Sequence, residues 1–193
     1  SGLKSGHKEE YLGLHVNDEL IYPCHTLNPA TGTLYLWLTY NDSTVNAVQK
    51  IFRYIFESGP LSVKYSRASS TETYSTNLEV QGYSYRIAYP VVINNTSLWK
   101  PHEWHFVAVT WEKQPTDNGL LKLYVDGTFI NSTLLPGTLW CKTANDPTAI
   151  PIGIRIGGSG SFVNNGNTDE VRLFNHARPA TQIQADYLAE RTS

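Results

Sequence analysis

The 193-residue sequence has no methionine and only two cysteines, and charged residues make up 17% of it. With a net charge of −2 and no basic stripe, it offers little to a nucleic acid. No apolar run reaches the roughly 20 residues of a membrane-spanning helix, which argues against membrane insertion. No secretory leader is visible and Ser1 stands where a Met would start a chain. The sequence therefore reads as a matured or excised protein, with residues 1–10 a cloning remnant or disordered lead and residues 11–193 a single domain. Cys24 and Cys141 lack the C-x-x-C spacing of a zinc or redox site. Two readings stay open for them. A disulfide would close a long loop, worth about 4 kcal/mol in the chain-entropy model. The alternative is two separate buried thiols.

Catalytic patterns are also missing. There is no Gly-x-Ser-x-Gly elbow and no His-Glu-x-x-His. Asp169 and Glu170 are neighbours on an expected strand, so their side chains should face opposite ways. Glu9 and Glu10 fail as a pair for the same reason. His102 and His105 bracket Trp104, with no Ser or Cys at a telling offset. Each reads as an ordinary strand histidine, and the chain is not expected to be an enzyme.

What the sequence does contain is β-pattern. Residues 103–111 are β-branched and aromatic with no Gly or Pro, and Leu121, Leu123 and Val125 alternate with Lys122 and Tyr124. Asp126-Gly127 follows, the strongest short-range hairpin signal, because a type I′ turn needs positive φ at both central residues. With a turn over Gln114–Gly119, three strands form a meander. Thr33–Tyr40 alternates Leu34, Leu36 and Leu38 with Tyr35, Trp37 and Thr39, the mark of a strand covered on both faces. Further strands are expected at Tyr11–Val16, Lys50–Phe56, Leu61–Tyr65, Gly82–Tyr89, Ile152–Gly157 and Thr168–Phe174. Ser66–Asn77 and Leu134–Pro151 read as loops. Pro179 opens the one convincing helix, Ala180–Ala189, with Ile183 and Tyr187 as an i, i+4 apolar pair. The expected fold is all-β, a two-sheet antiparallel jelly-roll sandwich with a short C-terminal helix.

Four motifs stand in order: L-Y-L-W at 34–37, W-K-P-H-E-W-H-F-V-A-V-T-W at 99–111, L-K-L-Y-V-D-G at 121–127 and D-E-V-R-L-F-N-H-A-R at 169–178. Together they resemble the laminin G-like members of the concanavalin A-like lectin/glucanase superfamily, over roughly residues 10 to 190. The resemblance implies a jelly roll, an extracellular setting, binding of glycans or proteins, and a structural calcium ion. Family members usually begin with a further strand and an acidic, Gly-rich loop, and here only residues 1–10 precede Tyr11. The superfamily's glucanases use an E-x-D-x-x-E strand whose alternating carboxylates share one face, and no such strand is present.

Calcium takes oxygen ligands. Asp169 follows an Asn-rich run and is the expected carboxylate, with Glu10 and Asp18 as partners from the N-terminal segment; an Asx-rich turn explains the run equally well. Sugars stack on aromatic faces while Asn, Asp or Arg bond their hydroxyls. The expected ligand-binding residues are Tyr65, Arg67, Tyr74, Trp140, Asn164 and Asn165, in loops at one edge of the sandwich. Tyr83 and Tyr85 are expected to alternate outward on one face, with Arg86 next to them. Four Asn-x-Ser/Thr sequons, at Asn41, Asn94, Asn95 and Asn131, lean towards a secreted or cell-surface glycoprotein. The expected function is a non-catalytic carbohydrate-binding module of a larger adhesin or carbohydrate-active protein. The alternatives are a protein-interaction domain of the same fold, with a cell-surface protein as partner, and, last, a polysaccharide hydrolase or lyase.

Overall fold

A computed structural model describes residues 2–4, 11–13, 20–22, 28–40, 52–69, 74–94, 96–137, 154–156 and 166–191. They form fourteen strands and one helix: β1 (Gly2–Lys4), β2 (Tyr11–Gly13), β3 (Leu20–Tyr22), β4 (Thr31–Thr39), β5 (Phe52–Ser58), β6 (Leu61–Ser69), β7 (Tyr74–Gly82), β8 (Tyr85–Ile93), β9 (Thr96–Ser97), β10 (Trp104–Lys113), β11 (Gly119–Val125), β12 (Thr128–Leu135), β13 (Ile154–Ile156), β14 (Thr168–Phe174) and α1 (Ala180–Glu190). Two antiparallel seven-stranded sheets result. Sheet A runs β1-β2-β14-β4-β10-β11-β12 and sheet B runs β3-β13-β5-β6-β7-β8-β9.

The meander is present as expected. Val107 to Lys113 pair with Val125 to Gly119, and β12 returns along β11. Asp126 has φ 50° and Gly127 has φ 74°, the two left-handed residues of a type I′ turn. Gly127 is also needed for space, since a Cβ there would stand 2.9 Å from the Tyr187 ring.

Alternation along each strand sorts the side chains into two cores. Leu34, Leu36 and Leu38 meet Val107, Val109, Leu121 and Leu123 from sheet A, and Val63, Leu78, Val80 and Ile87 from sheet B. On the other face of sheet A, Tyr35, Trp37, Phe106, Ala108 and Tyr124 pack beneath Ile183 and Tyr187 of α1. Strand β4 is therefore buried on both faces, as its sequence indicates. Trp37 and Trp111 lie in these cores, and Trp104 lies half-buried beside the second one.

Polar bonds fix the helix in place. Its Ile183 is fully buried, yet most of its remaining surface faces solvent. The Tyr35 hydroxyl donates to Asp186 Oδ2 (2.7 Å), Trp37 Nε1–H donates to Glu190 Oε2 (2.8 Å), and Arg172 pairs with Glu190 (2.8 Å). Arg178 pairs with Asp186 and lies 3.8 Å over the Phe174 ring.

Two expectations are corrected. Residues 1–10 are not uniformly a disordered lead, because Gly2–Lys4 pairs with Tyr11–Gly13 and adds a strand before β2. The described parts of Ser66–Asn77 are strand, not loop. Strand β6 continues to Ser69 and β7 begins at Tyr74, with Ser66 to Ser69 paired against Asn77 to Tyr74. Hydroxyl-rich sequence reads as loop, but here Ser66 to Ser69 and Tyr74 to Asn77 find cross-strand partners whose backbones satisfy them.

Candidate functional site

The described residues bring together only part of the expected binding set. Tyr65 is not an edge residue. It is 4% exposed, its ring packs edge-on to Tyr40 (5.1 Å), and its hydroxyl donates to Thr39 O (3.2 Å). It belongs to the core, because its strand position shares the inward face with Leu61 and Val63. Arg67 and Tyr74 have their backbones on the β6–β7 hairpin, opposite Thr76 and Ser69. Trp140, Asn164, Asn165, Glu10, Asp18, Cys24 and Cys141 lie outside the described residues, as do Asn41 and Asn95.

One convergence is real. Thr39, at the end of β4, accepts from Tyr65 at its carbonyl, and its amide donates to Asn167 O (3.0 Å) while its hydroxyl accepts from Asn167 N (2.8 Å). Gly166 sits so close that a Cβ would lie 1.9 Å from Thr39 O. The backbone entering β14 is thus stitched to the same end of the sandwich as β6. There Asp169 lies opposite Trp37 in the ladder, is buried, and accepts the Glu170 amide at Oδ1 (2.8 Å). Glu170 adopts φ 51° at a bulge and pairs with Arg172 (3.0 Å). Among the described residues no group of three or more His, Cys, Asp or Glu stands close enough to hold a metal. Asp169 is the single carboxylate of the expected calcium set that can be placed.

His105 is a structural clasp. Its ring stacks on Trp99 (4.1 Å between centroids, 12° between planes) and its Nδ1 lies 2.8 Å from Asp126 Oδ2. Asp126 Oδ1 accepts the Phe106 amide (2.9 Å). The clasp ties the Asp126-Gly127 turn to the segment before β10. Glu103 approaches His105 Nε2 at 3.7 Å.

A polar constellation lies on the face of sheet B turned away from the core. Leu61, Val63 and Tyr65 on β6 and Leu78 and Val80 on β7 point into the core. Alternation then sends Ser62, Lys64 and Ser66 outward beside Asn77, Glu79 and Gln81, with Arg86 and Ala88 on β8. Lys64 stands directly opposite Glu79, 3.1 Å from Oε1. Lys64 also donates to Gln81 Oε1 (2.7 Å), Ser66 Oγ donates to Glu79 Oε2 (3.0 Å), and Arg86 reaches Glu79 Oε2 at 3.7 Å. Lys64 and Glu79 are 6% and 5% exposed, so the pair is almost withdrawn from water although it sits on an outer face. A charge held this way must be paired and hydrogen-bonded, as both are here. The Arg86 side chain is 71% exposed at the rim.

At the tip of the β7–β8 hairpin Tyr83 has φ 55°, a position that favours glycine. It is held from both sides, by its amide to Pro60 O (3.2 Å) and by Gln81 Nε2 to its carbonyl. Burial pushes the Tyr83 phenol pKa upward. Tyr85 points to solvent as expected, Tyr83 is half-buried in the turn instead of outward on the same strand face, and Arg86 is exposed beside Tyr85. Glu79, Gln81 and Lys64 were not foreseen. The signal was the alternation of Leu78 and Val80 with Asn77, Glu79 and Gln81.

The fold resembles that of solved binding domains. The binding domain of Paraclostridial Mosquitocidal Protein 1 superposes with a TM-score of 0.59 and 10% identity, over 97% of this chain and 45% of that one. The botulinum neurotoxin type G receptor binding domain gives 0.53 and 14%, over 92% and 46%. The receptor binding domain of the botulinum neurotoxin C/D mosaic serotype gives 0.52 and 13%, over 87% and 37%. The chain spans less than half the length of these structures, and at such identity the likeness is one of fold. A search of curated proteins finds no match. A laminin G family model, described as concanavalin A-like lectin/glucanases superfamily, matches residues 15–184. With its two-sheet jelly roll, helix-covered face and matching motifs, the chain belongs to this laminin G family of the concanavalin A-like lectin/glucanases superfamily.

Proposed function

We propose that the chain is a non-catalytic, extracellular carbohydrate-binding module, one part of a larger adhesin or carbohydrate-active protein. The carrying observation is the rim of the sheet B constellation, where the Arg86 side chain is 71% exposed and Gln81 half-buried beside the buried Lys64–Glu79 pair. Carboxylate, amide, hydroxyl and cationic groups are preorganised there by their own mutual bonds. That buried network backs the exposed Arg86 guanidinium, which donates to sugar hydroxyls from a partly ordered position and so pays less ordering entropy on binding. The family membership and the fold shared with binding domains support the same reading.

A printed array of neutral and acidic oligosaccharides tests it. Wild-type chain binds a subset, and Arg86→Ala and Gln81→Ala each weaken that binding by roughly tenfold, a loss of about 1.4 kcal/mol. The melting temperature of Arg86→Ala stays close to wild type, since that side chain is exposed, whereas Gln81→Ala lowers it, because the buried Lys64 loses an acceptor. No array signal, with a defined cell-surface protein captured instead, favours an interaction domain of the same fold. Cleavage of a polysaccharide that one acidic substitution abolishes brings back the hydrolase or lyase reading. The proposal includes a structural calcium ion at Asp169, with Glu10 and Asp18 as the other carboxylates. Excess EDTA then lowers the melting temperature, because a ligand of the native state alone stabilises it; an unchanged value removes the ion from the proposal.

A further inference from the structure

The two sheets have four margins among the described strands: β1 and β12 in sheet A, β3 and β9 in sheet B. Three of these are described over two or three residues. Strand β12 is eight residues long. Its sequence, T-F-I-N-S-T-L-L, has no charge and no proline, two usual protections of a free edge. Phe129 and Leu134 are 50% and 55% exposed on it. The Ser132 amide donates to Asn131 Oδ1 (2.8 Å), so the neighbouring side chain answers it. Ile130 is passed over in the pairing with β11, which makes a bulge next to Phe129.

We propose that β12 is a self-association edge, pairing antiparallel with β12 of a second copy about a two-fold axis near Ser132. A free strand edge alternates N–H and C=O groups, so it complements an identical strand run in the opposite direction. A homotypic pairing brings like positions together, and any charge near the axis would repel its own copy. Strand β12 has none. In this register Leu134 of one copy falls beside the Phe129–Ile130 bulge of the other, and both exposed apolar groups lose contact with water. One strand edge buries less than a standard protein interface, so the dimer is reversible and depends on concentration. Asn131 competes for the Ser132 amide and holds the affinity down.

Sedimentation velocity over a concentration series of the purified chain tests this. The expected result is a monomer–dimer equilibrium that Leu134→Lys and Ser132→Lys each weaken by roughly tenfold or more, and that Asn131→Ala strengthens. Both lysines replace exposed side chains, so circular dichroism and melting temperature stay at wild-type values and report that the fold is intact. A monomer at every concentration overturns the proposal. So does a dimer that neither lysine weakens, which would place the interface elsewhere, or one that Asn131→Ala loosens.

Discussion

Asp186 collects three donors: the Tyr35 hydroxyl, Gln182 Nε2 (2.7 Å) and the Arg178 guanidinium. Burial pushes its carboxyl upward, but the bonds from Tyr35 and Gln182 and the charge of Arg178 outweigh that and hold it below the usual carboxylate range. For Tyr35, burial comes first, then the bond and charge of Asp186; together they push the phenol well above its ordinary value against the opposing pull of Arg178. The signs differ. A carboxyl with a lowered folded-state value contributes stability that is complete above the usual carboxylate range and fades as pH falls through the lowered value. The raised phenol contributes below its ordinary range and fades as pH rises through the raised value. Asp186→Asn should therefore lower stability at neutral pH and make the acid side of the melting-temperature profile shallower. A profile that runs parallel to wild type down to low pH would show that this carboxylate does not anchor the helix. None of this was readable from sequence, because Tyr35 and Asp186 lie on β4 and α1, at opposite ends of the chain.

At the scale of elements, α1 and β7 show what the sequence made legible and what it hid. The helix announces itself through Pro179 and the Ile183–Tyr187 spacing, and it forms over Ala180–Glu190. Its seat on the outer face of sheet A was hidden, because Tyr35, Trp37 and Phe106 look like ordinary strand residues until a second core is known to exist. Ile183→Ala removes the one fully buried apolar side chain of the helix and should cost about 2–4 kcal/mol. The readout is the denaturation midpoint. A shift well under that range would mean that the polar anchors alone hold α1. Strand β7 is the opposite case. Its Ser, Thr and Asn content reads as loop, while its Thr76, Leu78, Val80 alternation reads as strand, and alternation wins because pairing with both β6 and β8 satisfies the backbone. Missing β7 as a strand meant missing Glu79 and Gln81 as neighbours of Lys64. The Asp126-Gly127 turn was legible in full, since its chemistry is local.

Across the whole molecule, sheet A is centred on β4, which pairs with β10 on one side and β14 on the other and is covered by sheet B and by α1. Its amides should exchange with solvent only through global opening, and those of β12 by local fraying. Native-state hydrogen exchange that ranked them the other way would contradict this ordering. The position of β4 also has a consequence in time. Its two partners come from the middle and the last part of the sequence, so the strand at the centre in space is among the last to be flanked on both sides as a chain emerges. Loop closure must precede the contacts that reward it, and a fold built on such distant pairings assembles slowly. During that interval Leu34, Leu36 and Leu38 have the earlier strands of sheet B and then the β10–β11–β12 meander to pack against, while the β14 edge of β4 stays unpaired until the end of the chain.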